Sequence, residues 1–155
     1  MAGTVEKRLS ELGIVLPASA PPIANYVAFV RTGNFMVVSG QLCLDAEGKL
    51  VAKGKLGAEV SIEDGQRAAR ACAINLLAHI KAGLGDLNKI VRVVRLGGFI
   101  NCTPGFLELP KVMNGASDLM VGVFVDRGRH ARTTVGVASL PLDAAVEVEG
   151  MFEVV

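Results

Sequence analysis

Ile90-Val-Arg-Val-Val-Arg-Leu-Gly-Gly-Phe-Ile100 is the stretch on which the fold turns. It is rich in Val and Leu, short of helix formers and bounded by turn residues, so it reads as an inner strand. A helix is expected on each side. Upstream, Ser61 and Asp64 offer an N-cap and a first-turn acid, and Ala69, Ala73, Leu76, Leu77 and Ile80 share one face. That helix should run to about Gly83 and end at Gly83-Leu-Gly85-Asp86, with Arg67, Arg70 and Lys81 mostly off the apolar face. Downstream, residues 102–109 read as loop. Pro110 then opens a second helix to Val125, with Val112, Met113, Leu119, Met120 and Val123 as its apolar positions.

Working outward, Tyr26–Arg31 and Phe35–Ser39 flank Thr32-Gly33-Asn34, a tripeptide suited to positive φ, and predict a hairpin. A polar connector follows through Val60. At the other end, Arg132–Leu140 and Ala145–Val154 read as two strands joined by Leu140-Pro141-Leu142-Asp143, a turn that Pro and Asp favour. The order ββαβαββ is that of an α+β fold, a mixed sheet with both helices packed on one face. Before it, Thr4 is placed to cap a short helix to Leu12, with Val5, Leu9 and Leu12 at helical spacing, and Pro17-Ala-Ser-Ala-Pro21-Pro22 reads as an extended linker. One domain over 1–155 is expected, with 1–20 as its N-terminal lead-in. If the helix-free face of the sheet is apolar it needs a cover, which a symmetric oligomer most commonly supplies; a solvated polar face is the alternative.

Composition narrows the function classes. The 155 residues are 51% hydrophobic and 20% charged, with 16 Lys+Arg against 15 Asp+Glu, enough for one core and nearly no net charge. With no Trp, one Tyr and 5% aromatics, the chain lacks the basic face and stacking platform of a nucleic-acid binder. No run approaches the roughly 18 apolar residues of a spanning helix, and the first residues lack an apolar segment with a cleavage site, so no membrane partner and a cytoplasmic location are expected. Cys43, Cys72 and Cys102 are widely spaced and odd in number, and read as buried reduced thiols. His79 and His130 have no ligand spacing around them, and no phosphate, dinucleotide or nucleophile-elbow motif occurs, so neither metal nor cofactor is expected.

Chemistry concentrates in the last two strands. Alternation puts Arg132, Thr134, Gly136 and Ala138 on one face of the first, and Glu147, Glu149 and Glu153 on the polar face of the second. Arginine is the side chain best suited to grip a carboxylate, through two parallel N–H bonds. If the Pro141 turn makes a symmetric hairpin, Arg132 and Glu147 stand roughly 20 Å apart at 3.3 Å per residue, and a site using both needs a bulge or a neighbouring subunit. Glu149, two residues from Glu147, is expected to raise its pKa. Ser39-Gly40-Gln41 ends a strand, where Gly admits close approach to a ligand but more often only makes a turn. Asn114-Gly115 inside the second helix suggests a kink.

Taken together, Pro22-Ile-Ala-Asn-Tyr26-Val, Thr32-Gly-Asn34, Val38-Ser-Gly40-Gln41, Ala131-Arg132-Thr-Thr-Val-Gly-Val, Leu140-Pro141 and Val146-Glu147-Val-Glu149 resemble the Rid/YjgF family of enamine and imine deaminases, once labelled endoribonuclease L-PSP. The resemblance spans about residues 20–155. It implies a chorismate-mutase-like fold, a homotrimer, and ligand sites between subunits. It further implies that Arg132 holds a substrate carboxylate and Glu147 positions water, with Tyr26 at the mouth of the site and Gly40, Asn114 and Thr134 binding substrate. Thr134 stands where many members carry a cysteine. The implied reaction is hydrolysis of 2-aminoacrylate/2-iminopropanoate to the 2-oxo acid and ammonium. A non-catalytic binder of small carboxylates or a regulatory partner is the second reading, and a ribonuclease the third.

Overall fold

Ser61 starts the long helix α2 (Ile62–Leu84) by accepting the Asp64 N–H at 3.1 Å, and Gly85 ends it at φ 79°, where a glycine meets no Cβ strain. The computed structural model describes residues 3–19 and 25–155, so Pro21 and Pro22 of the linker, and Pro22-Ile-Ala of the first motif, lie outside the described residues. The other helices are α1 (Thr4–Glu11) and α3 (Leu109–Phe124). The strands are β1 (Phe29–Thr32), β2 (Phe35–Leu42), β3 (Ile90–Asn101), β4 (Ala131–Val137) and β5 (Val146–Val154). They form one five-stranded mixed sheet in the order β1-β2-β5-β3-β4, antiparallel except for the β3–β4 pair. The α+β class and the ββαβαββ order stand as expected.

The expected β4–β5 hairpin does not form. β3 lies between the two strands, pairing parallel with β4 and antiparallel with β5. The Pro141–Asp143 segment is a 3₁₀ turn with Leu142 and Asp143 both at φ 60°. It delivers the chain beneath the connector, where Gly54 N–H donates to Asp143 O at 2.8 Å and Ala145 N–H to Ala52 O at 3.2 Å. Entering there, β5 becomes the middle strand and satisfies its backbone groups on both edges, which a terminal hairpin would leave open on one.

Both α2 and α3 cover one face. Leu76, Leu77 and Ile80 of α2 and Val112, Met113 and Met120 of α3 are fully buried against Met36, Leu96, Ile100, Val148 and Phe152 of the sheet. The connector read as polar contributes Ala52, Leu56 and Val60 to this core. The Asn114-Gly115 pair makes no break in α3: a Cβ on Gly115 would lie 2.0 Å from the Gln66 carbonyl oxygen of α2, so the glycine serves helix–helix approach. In α1, Val5 and Leu9 are buried but Leu12 falls past the last turn and is exposed; Gly3, not Thr4, is the N-cap, and Asn88 Oδ1 takes up the Val5 N–H at 3.2 Å. Cys43 and Cys72 are buried and Cys102 half-buried, all free thiols.

Among the described residues no helix covers the opposite sheet face, which carries exposed apolar groups. Exposed Val30 and Val37 and half-buried Met151 stand side by side across β1, β2 and β5, with Phe35 and Val135 also exposed on that face. No helix among the described residues is long and apolar enough to cross a membrane.

Candidate active site: two half-sites on opposite faces of the sheet

Arg132 pairs with Leu96, whose side chain is in the core, so Arg132 shares the helix-facing side of the sheet. As the edge strand, β4 lets the guanidinium reach past the core to the first turns of α3. There Nη1 donates to Asn114 Oδ1 at 2.9 Å and to Ser117 Oγ at 3.0 Å, and Nη2 donates to Pro110 O at 3.2 Å. All three acceptors are neutral, and among the described residues Arg132 forms no ion pair. Thr134, two residues along on the same face opposite Gly98, has a buried Oγ1 with no hydrogen-bond partner among the described residues. Beyond it a hollow of about 340 Å³ is lined by Cys102, Phe106, Leu107, Leu109 and Gly136.

Behind the guanidinium, His130 Nε2 lies 2.9 Å from Ser117 Oγ and its Nδ1 lies 2.6 Å from Gly128 O. Burial holds this imidazole below its ordinary 6.5; the Arg132 charge acts the same way, against the pull of the Gly128 carbonyl. It is therefore neutral at pH 7.

Glu147 projects from the other face. It is opposite Phe99, whereas Arg132 aligns through Leu96 with Gly150, three residues away on β5 and of opposite parity. Beside Glu147 the β2 register shifts between Val38 and Gln41, and a Cβ on Gly40 would lie 2.3 Å from Glu147 Oε1. The segment read as a turn is thus an irregular step inside a strand that continues to Leu42, and Gly40 admits the carboxylate. Ser39 ties the chain before β1 to this point, its Oγ donating to Val27 O at 2.7 Å and its N–H to Ala28 O at 2.8 Å. Exposed Tyr26 is the next residue.

The Glu147 carboxyl is raised above its usual 4.5, first by burial and then by Glu149. The sequence reading named only the second cause. Glu149 itself lies 3.6 Å from Arg95, which tempers its charge. Because the folded pKa is raised, the contribution of Glu147 to stability is whole below pH 4.5 and is lost as pH rises through the folded value. Glu147→Gln should therefore melt at a higher temperature than the wild type at pH 7 and at the same temperature at pH 4; equal melting at both would contradict the assigned burial.

The candidates fall into two groups: Arg132, Asn114 and Thr134 on the helix face, and Glu147, Gly40 and the Tyr26 segment at one end of the open face. The structure does not bring Arg132 and Glu147 together within one chain. Sequence reasoning missed Ser117, His130 and the Pro110 carbonyl. Ser117 lies one turn (i+3) after Asn114 and His130 two residues before Arg132, so both follow by periodicity once those neighbours are chosen. A larger hollow of about 670 Å³ between Leu12, Arg67, Asp118 and Gly122 contains no candidate residue. No group of three or more His, Cys, Asp or Glu suited to a metal occurs among the described residues.

The family model described as "YjgF/chorismate mutase-like, putative endoribonuclease" matches residues 6–153. The chain is 48% identical over 153 residues to Protein TCP17 of Trypanosoma cruzi, covering 98% of this chain and 95% of that one. The crystal structure of Atu1372, a protein of unknown function from Agrobacterium tumefaciens, superposes with a TM-score of 0.92 at 47% identity, covering 98% of this chain and 93% of the other. A 2-iminobutanoate/2-iminopropanoate deaminase of Dermatophagoides farinae is 27% identical over 138 residues, 89% of this chain and 92% of that one.

Proposed function

Because the chain belongs to the YjgF/chorismate mutase-like family, we propose that it hydrolyses small reactive imines of 2-oxo acids, such as 2-iminopropanoate, in sites formed between the subunits of a homotrimer. The observation that carries this reading is Arg132, a guanidinium held by three neutral oxygens with no carboxylate of the described chain on it. Its charge and remaining N–H groups are free for a small anion. The deaminase relative supports the choice of substrate class.

In the proposed reaction the substrate carboxylate docks on Arg132, which removes orientational freedom before water attacks. Glu147 of a second copy holds the water or takes its proton, a task suited to a carboxyl raised by burial. Water adds to the C=N carbon, the carbinolamine collapses, and ammonia leaves the 2-oxo acid. The Gly40 backbone supplies a hydrogen bond to the bound acid, Thr134 keeps a small side chain beside the guanidinium, and Tyr26 lines the mouth. The apolar helix-free face is what assembly covers.

Ammonia release from 2-aminoacrylate, generated by a serine or threonine dehydratase, tests the activity. Mixing tests the shared site. Arg132→Ala chains and Glu147→Gln chains are each inactive alone, and randomly mixed trimers recover about a quarter of wild-type activity, because half the sites draw an intact arginine and half of those an intact glutamate. No recovery, with trimers formed, means the two residues act in separate sites. Ligand-dependent thermal stabilisation that requires Arg132 but comes with no turnover would favour the binder reading, for which the thiol-free Thr134 position is the motivating feature.

A further inference from the structure

We infer that Ser117 and His130 form a positioning clamp that aims the Arg132 guanidinium, with His130 held in its neutral Nδ1–H form. The inference rests on Arg132 as the grip for a carboxylate, and adds what fixes the direction of that grip.

The assignment of protons follows from what each partner can do. The Gly128 carbonyl only accepts, so the 2.6 Å contact requires the proton on His130 Nδ1. In the neutral ring Nε2 is then an acceptor, and the partner at 2.9 Å, Ser117 Oγ, must donate to it. With its proton committed, the hydroxyl offers a lone pair to Arg132 Nη1 at 3.0 Å. Every bond runs one way, from Arg132 through Ser117 and His130 to the backbone, and bonds in such a chain polarise one another. A nucleophile and base can also stand at this separation, but here a serine lone pair is turned to the guanidinium, which suits positioning.

The far end of the chain is rigid. A Cβ on Gly128 would lie 2.2 Å from the Met120 carbonyl oxygen, so this backbone is wedged against the end of α3 and its carbonyl is fixed in place. Asn114 and Pro110 hold the guanidinium from the first turns of the same helix. A long, flexible arginine side chain has rotamer freedom to lose on binding, and the clamp removes much of it before a ligand arrives.

The test uses the full chain and pyruvate, the product acid, as probe. Ser117→Ala and His130→Ala should each weaken pyruvate binding by calorimetry about tenfold, the worth of one charge-assisted hydrogen bond. In the dehydratase-coupled assay KM should rise by a similar factor with kcat within twofold, a split that a general loss of structure does not give. Ser117→Thr restores the hydroxyl and should return affinity to within twofold of wild type. Without ligand, the ¹⁵N signals of the Arg132 Nη groups should show hindered rotation in the wild type and averaging in Ser117→Ala. His130→Ala leaves α3 untouched and gives the same readings if Ser117→Ala folds poorly. Unchanged affinity and unchanged Nη signals in these variants overturn the clamp. If Arg132→Ala binds pyruvate as well as wild type, the carboxylate grip fails, while the ligand-free Nη signals still decide the clamp.

Discussion

If the proposed imine hydrolysis holds, Arg132→Ala should lower kcat/KM for 2-iminopropanoate by about two to three orders of magnitude. A fork-to-carboxylate contact comprises two charge-assisted hydrogen bonds at roughly 1.5–3 kcal/mol each, and most of their sum is lost when the fork is removed. The folded state loses far less. The three acceptors of the guanidinium are neutral and Asn114 is exposed, so water replaces the arginine there without stranding a charge. Melting temperature should change by only a few degrees. Arg132→Lys keeps the charge without the planar fork and should recover less than tenfold of the loss. Ammonia release from enzymatically generated 2-aminoacrylate is the measurement, and full activity in Arg132→Ala would remove this residue from the mechanism.

Gly115→Ala produces the other large effect, on stability. Alanine in mid-helix gains about 1 kcal/mol over glycine in intrinsic preference. Against that, the added Cβ would stand 2.0 Å from the Gln66 carbonyl oxygen, backbone that has no rotamer to change. Nor is α2 free to retreat, since Asn75 Nδ2 ties it to the Leu42 and Leu44 carbonyls at 3.1 and 2.9 Å. Overpacking of this kind costs about 2–4 kcal/mol net, which at this chain length lowers the melting temperature by roughly 5–15 °C. Gly122→Ala on the same helix is the comparison: its Cβ would meet only Leu12 Cδ1 at 3.6 Å, so the helical preference is collected and stability should hold or rise. Thermal unfolding of the two variants side by side checks both signs, and equal behaviour would refute the close approach.

What was legible in the chain were signals that act over a few residues. Ser61 and Gly85 mark α2 because a cap and a positive-φ terminus are local requirements, and the structure places both where the sequence does. The alternation of Val146, Val148, Phe152 and Val154 identifies β5 and its buried face equally well. It says nothing about which strand lies alongside, because a middle strand and an edge strand bury the same side chains. Leu140-Pro141-Leu142-Asp143 has the residues of a hairpin turn, yet the choice is made by pairing β5 with β2 and β3, which depends on residues more than forty positions away. The half-sites divide the same way. Arg132 and Thr134 were placed on one face by parity alone, while their opposition to Glu147 needed the strand order. Ser117 and His130 carry no pattern of their own and gain meaning only from the hydrogen bonds they make.

The sheet standing between Arg132 and Glu147 bears on kinetics. A solitary chain keeps the group proposed to seize the acid and the group proposed to handle water on two sides of one wall. If turnover uses both, specific activity falls on dilution instead of staying constant per milligram. Whatever loosens the association of copies then governs flux without ever entering a cleft.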